Sequence, residues 1–225
     1  MLTDLDVAKL VAAQYAGSLD IFDVFVDPVH NDFAGVAWAA KQIDGVWVIC
    51  FEGSHDPPDW AHDFDPRRIT VPGLGDLHAG FYVNMEHTLG VILDACPGDI
   101  LFAGHSLGAA HAGIATALAV RAGRPPRFYL RWGEPAPAWG PQFGTVVAGV
   151  PGRSYRNRKP HGWATDEDLV TAVPLALAGW RHPQPFGDLW SPAYPSEPWY
   201  ERWGIVALHH WALYLSATPA TVILP

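Results

Sequence analysis

This sequence predicts an α/β fold, with a largely parallel sheet and helices on both faces, on three observations. Short runs rich in β-branched and aromatic residues alternate with longer stretches of helical periodicity, the order that builds parallel sheets. One buried run, Asp99-Ile100-Leu101-Phe102-Ala103, passes through Gly104-His105-Ser106-Leu107-Gly108 straight into an Ala-rich helix ending near Ala122. With 225 residues, 49% hydrophobic and only 16% charged, the chain has apolar matter for one well-buried domain, 1–225.

Leu5, Ala8, Leu10, Val11 and Tyr15 fall at helical spacing and open the chain with an amphipathic helix. Phe33 to Ala40 and Val46 to Phe51 are strand-like, and Asp44-Gly45 between them is a hairpin turn. The stretch 55–76 is polar and lid-like, with Trp60 and Phe64 on one face. A helical pattern then runs from Phe81 to Ala95 and stops at Pro97-Gly98. Beyond the Ala-rich helix, Phe128 to Trp132 is a strand candidate and Arg153 to Arg158 a weaker one. Six prolines lie between Thr171 and Ile205, a density that excludes a central strand or a long helix. The Pro/Trp-rich excursion 175–205 is therefore expected to pack on the domain, either walling a substrate pocket or covering an edge of the core. Trp211, Leu213, Tyr214 and Leu215 begin a closing amphipathic helix.

Composition narrows the function. A net charge of −9 argues against nucleic acid and against docking on anionic lipid, both of which reward clustered Lys and Arg. The two cysteines, Cys50 and Cys96, suit neither a metal site nor a disulfide framework and read as buried free thiols. No basic leader with an unbroken apolar core opens the chain and no apolar run reaches 18 residues, so a cytoplasmic protein without a membrane span is expected.

Chemistry concentrates at Gly104-x-Ser106-x-Gly108. Between a strand and a helix this pattern makes a nucleophile elbow, the signature of the α/β-hydrolase fold. The turn is tight enough to demand small neighbours, it lifts the serine hydroxyl above the sheet, and the helix N-terminus favours developing negative charge. Serine needs a base, and the base an orienting carboxylate, in the chain order Ser, Asp or Glu, His. Downstream acids include Asp166, Glu167 and Asp168; the histidines include His161, His182, His209 and His210.

Seven segments in order resemble the class 3 lipases, the fungal-lipase-like group. They are Cys50-Phe51-Glu52-Gly53-Ser54, Asp59-Trp60-x-x-Asp63-Phe64, His78-Ala79-Gly80-Phe81, Gly104 to Gly108, Gly133-Glu134-Pro135, Asp168-x-Val170-x-x-Val173-Pro174 and His209-x-x-x-x-Tyr214. The resemblance implies a triad of Ser106, Asp168 and His209. It also implies an oxyanion hole from the backbone N–H of Leu107 and of Ser54, with the Ser54 hydroxyl as a further donor. The spacing from base to Tyr selects His209 over His210. No cofactor or metal is implied, and the substrate is a small-molecule ester or lipid. Two residues depart from the family pattern. Glu52 replaces an Arg and is expected to turn away from the oxyanion; His111 replaces an aliphatic residue and is expected to be hydrogen-bonded.

Three functions fit: hydrolysis of carboxylic esters through an acyl-enzyme on Ser106, acyl transfer to an alcohol from the same intermediate, or a non-catalytic binding module that kept the fold. A metal cluster at His55, Asp56, Asp59, His62 and Asp63 is the weaker account of residues that fit a solvated lid.

Overall fold

The computed structural model describes residues 1–26, 36–53, 67–158, 168–172, 179–190 and 211–224. In chain order its elements are β1 (Leu2–Thr3), α1 (Asp4–Tyr15), β2 (Val24–Val26), β3 (Trp38–Ile43), β4 (Val46–Phe51), β5 (Arg68–Val71), β6 (Gly75–His78), α2 (Ala79–Tyr82), α3 (Met85–Ala95) and β7 (Asp99–His105). They continue with α4 (Leu107–Arg121), β8 (Phe128–Trp132), β9 (Ala138–Trp139), α5 (Gln142–Val147), β10 (Gly152–Arg158), β11 (Trp180–Arg181), β12 (Phe186–Trp190), α6 (Trp211–Ala217) and β13 (Val222–Leu224). Short 3₁₀ turns occupy Leu19–Ile21 and Leu169–Ala172.

Seven strands form the main sheet in the order β12-β10-β8-β7-β4-β3-β2. From β12 to β4 every pairing is parallel; the β4–β3 and β3–β2 pairings are antiparallel. The sheet is largely parallel, as predicted. Its central strands alternate between two cores, because successive side chains point to opposite faces. Ile49, Phe51, Ile100 and Phe102 join a core roofed by α2 to α5. Val48, Cys50, Leu101 and Ala103 join the opposite core, with Val7, Ala8 and Val11 of α1 and Tyr214 of α6.

Several predicted elements form with changed bounds. Asp44 and Gly45 both take positive φ, 50° and 82°, which makes the turn between β3 and β4 the expected tight hairpin. The helical pattern from Phe81 to Ala95 divides into α2 and α3, because Asn84 sits in the left-handed region at φ 61°. Asn tolerates that conformation, and periodicity does not register it. The second half of the 55–76 stretch is no lid: β5 and β6 form a hairpin, and with β9 and β11 they make a separate antiparallel sheet. Gly73 and Gly75, at φ 81° and 85°, shape that turn. The Pro/Trp-rich excursion also holds two strands. β12 occupies one edge of the main sheet, where a flanking proline removes no ladder bond, and β11 pairs with β9. Both thiols are free and buried.

Helix α4 is apolar all round and buried from Gly108 to Ala119, as befits a helix wedged between the sheet and its neighbours. His111 lies inside it, edge-on to Phe51, and its Nδ1 has no hydrogen-bond partner among the described residues. The expectation of a hydrogen-bonded histidine fails for this atom. Burial pushes its pKa from 6.5 down to about 3, so the fold holds the neutral ring. A base whose folded pKa is depressed contributes stability above its unfolded value and loses it as pH falls toward the folded one. Wild-type protein should therefore lose stability through this residue below pH 6.5, by about 1.4 kcal/mol per pH unit. In urea unfolding at pH 7 and pH 5, His111→Leu should narrow the difference between the two by about 2 kcal/mol. An unchanged difference would show that the ring escapes its burial before it protonates.

Candidate active site

Ser106 sits between β7 and α4 with φ 57° and ψ −127°, a conformation that glycine adopts freely and other residues only under constraint. Two facts account for it. The Ser106 N–H donates to Trp132 O at 2.9 Å, and its carbonyl accepts from Ala109 N at 3.0 Å, so the backbone is fixed on both sides of the turn. The flanking glycines leave no room for another arrangement: a Cβ on Gly104 would lie 2.2 Å from Gly108 O, and one on Gly108 2.2 Å from Phe51 O. The elbow helix is thus pressed against the end of β4 as well as against β7. Ser106 is wholly buried, and its Oγ has no hydrogen-bond partner among the described residues. Leu107 opens α4, where the first N–H groups have no partner within the helix and face developing negative charge.

Asp168 is also wholly buried and begins the turn that follows β10. Its N–H donates to Asn157 O at 3.0 Å. Its Oδ1 accepts from Val170 N at 3.0 Å, and its Oδ2 accepts a hydrogen bond from the Tyr214 hydroxyl. That hydroxyl in turn accepts from Asn157 N at 3.2 Å. Burial, and then the Asp168 charge, hold the phenol well above its usual pKa, so it stays a donor. Tyr214 is the sixth residue of the segment that resembles the family's His-and-Tyr motif, and its hydroxyl holds the Asp168 carboxylate.

His105 connects the two halves. Its ring centroid lies 5.2 Å from Tyr214 and 5.0 Å from Trp211, the first residue of α6. Its Nδ1 is 3.1 Å from the Tyr15 hydroxyl, at the end of α1. Burial, and then the charge of Glu52, push the Tyr15 pKa up, while a hydrogen bond from the Gly53 backbone opposes them. Glu52 thus acts on Tyr15, beneath the site.

Of the five residues named from sequence, Ser106, Leu107 and Asp168 are described; Ser54 and His209 lie outside the described residues, as do His210, the other triad candidates Asp166, Glu167 and His161, and the 55–63 segment. Sequence reasoning missed a buried ion pair beside the site. Arg131 Nη1 donates to Glu134 Oε1 at 2.7 Å and Oε2 at 2.6 Å, with both side chains fully buried. A charged residue inside the apolar strand Phe128–Trp132, three before another charge, was the available signal.

The sheet order and the elbow are those of the α/β-hydrolase fold. Residues 48–136 match the family model described as Lipase (class 3). Among solved structures, the chain is similar to lipase II from Rhizopus niveus at 20% identity, over 82% of this chain and 77% of that one, with a TM-score of 0.63. It is similar to the Rhizomucor miehei triacylglyceride lipase at 20% identity, over 82% and 77%, with a TM-score of 0.61. Against the Rhizomucor miehei lipase propeptide complex the identity is 18%, the TM-score 0.59 and the coverage 82% of this chain but 66% of that one. The chain thus spans just under two thirds of that structure's length. None of the curated proteins compared matches the sequence. The matched segment thus resembles the class 3 lipases, and the chain shares its fold with fungal lipases.

A matched pair of substitutions tests the elbow's packing. Gly108→Ala should cost about 3 kcal/mol or more, because backbone atoms of Phe51 and Glu52 stand in the way. Gly90→Ala, inside α3 with nothing within 4 Å of the new Cβ, should stabilise by about 0.4–1 kcal/mol. Thermal unfolding of the two variants checks both, and equal effects would refute the steric account.

Proposed function

We propose that this protein hydrolyses carboxylic esters through an acyl-enzyme on Ser106, with acylglycerols or short acyl esters as the substrate class. The observation that carries this reading is Ser106 itself. It is a non-glycine residue held at φ 57° where a parallel strand meets a helix, with a buried Oγ that bonds to nothing described. Strain of about 1–3 kcal/mol persists at such a residue only where the surroundings over-determine it, and it clusters at sites of chemistry.

The mechanism assigns each of these residues one role. Ser106 Oγ attacks the ester carbonyl carbon while His209 takes its proton. Asp168 fixes the imidazole tautomer and offsets the imidazolium charge. The oxyanion meets the Leu107 N–H at the start of α4 and the Ser54 N–H, with the Ser54 hydroxyl as a third donor. His209 returns the proton to the departing alcohol, and water, activated by the same base, releases the acid and restores Ser106. Support for Asp168 comes from its full burial and from the Val170 N–H and Tyr214 O–H that donate to its two carboxylate oxygens. Support for His209 comes from Trp211, whose contact with His105 brings the start of α6 beside the elbow. The family match and the lipases that share the fold support the substrate class.

A fluorophosphonate probe tests the nucleophile, and p-nitrophenyl esters from acetate to palmitate with a triglyceride emulsion test the substrate. Stoichiometric labelling at Ser106 is expected; no labelling would make the chain a binding module. Ester products formed with added alcohol would make it an acyltransferase. Ser106→Ala should abolish hydrolysis with the fold intact, and Asp168→Asn should lower kcat by about 10⁴. His209→Ala should lose several orders of magnitude where His210→Ala loses little, and the reverse result would move the base by one residue.

A further inference from the structure

We infer that His182 is a positioning residue for the Asp168 carboxylate, clamping the turn that carries it to the scaffold of the nucleophile. The inference rests on the assignment of Asp168 as the catalytic acid. On one side the Asp168 turn is tied to β10 by Asn157 O and to α6 by the Tyr214 hydroxyl. Thr171 closes the turn, its N–H and Oγ1 both donating to Asp168 O at 3.1 and 2.6 Å. The Thr171 carbonyl then takes a hydrogen bond from His182 Nε2 at 2.8 Å. On the other side of the ring, Nδ1 meets Glu134 Oε2 at 3.3 Å.

Glu134 is the fixed end of this clamp. Arg131 of β8 holds its carboxylate through both oxygens. A Cβ on Gly113 of α4 would reach Glu134 Oε1 at 3.0 Å, so the carboxylate is packed on the helix that starts immediately after Ser106. Glu134 follows β8, which pairs with β7 in register up to His105 and Trp132. One route from Ser106 to the Asp168 turn therefore runs through Glu134 and His182, beside those through β10 and Tyr214.

The ring's own placement agrees. β11 and β12 flank it in sequence and are paired with β9 and β10, and Phe186 meets it edge-on at 4.5 Å between centroids. Thr171 O meets His182 Nε2, a partner that no residue of its own turn supplies, while Nδ1 lies within reach of the Glu134 carboxylate.

A double-mutant cycle on one soluble p-nitrophenyl ester separates positioning from mere support of the fold. His182→Ala should lower kcat about 10- to 100-fold with KM within about twofold, the cost of misplacing a catalytic group. On an Asp168→Asn background the same change should alter kcat by less than about twofold, because the clamp acts through the carboxylate already disabled. His182→Gln, which keeps one donor, should recover part of the loss, and it carries the cycle where the alanine variant fails to fold. Equal fold-losses on both backgrounds, or no loss in the single variant, overturn the inference while fluorophosphonate still labels wild-type Ser106. Wild-type protein that is neither labelled nor active overturns the functional proposal as well.

Discussion

The close approach of three backbone segments at the elbow governs everything else in this protein. The end of β4, the end of β7 and the first turn of α4 meet so tightly that Gly108 faces the Phe51 carbonyl and Gly104 faces Gly108. Neither glycine admits a methyl group, and the turn between them closes only with Ser106 at positive φ. That strain is tolerable because α4 is buried from Gly108 to Ala119 and the parallel ladder on both sides of β7 is complete up to the elbow. The helix cannot back away without opening the core, so packing adds to the two backbone hydrogen bonds that hold Ser106.

Around that fixed point the charges divide into two kinds. Arg131 and Glu134 neutralise one another in full burial, where breaking either side alone would strand the other at a cost of about 3–5 kcal/mol. Asp168 is buried as deeply but is held by an amide and a phenol. Arg131, in the strand beside β10, is committed to Glu134.

What the sequence reveals, and what it hides, follows the same division. The elbow was legible because part of its sterics acts within the motif: Gly104 is dictated by Gly108, four residues on, although Gly108 itself is dictated by Phe51 of β4. The hairpin at Asp44-Gly45, the strand at Phe128–Trp132 and the long helix after Ser106 were legible for the same reason. Contacts between distant segments leave no local trace. Asp168 and Tyr214 stand 46 residues apart, and His182 and Glu134 48, so their types were visible but their partnership was not. β9 and β11 have two residues each and exist only through their pairings, β9 with both β6 and β11, and β5 exposes most of its side chains, which made its hairpin look like a polar loop. The break at Asn84 escaped because one left-handed residue does not disturb helical periodicity on either side.

His105 shows how remote segments stabilise a local strain. It immediately precedes Ser106, and its ring is enclosed by Tyr15 from the first helix and by Trp211 and Tyr214 from the last. Tyr15 touches its Nδ1 and also lies against Gly53, so close that a Cβ there would fall 2.0 Å from the phenol oxygen. One hydroxyl therefore ties the residue before the nucleophile to the residue before Ser54. Relaxing the turn at Ser106 would rotate His105, and that rotation is opposed by three rings contributed from both ends of the chain. The first and last helices, far from the elbow in sequence, are in this way part of what holds a serine in a glycine's conformation.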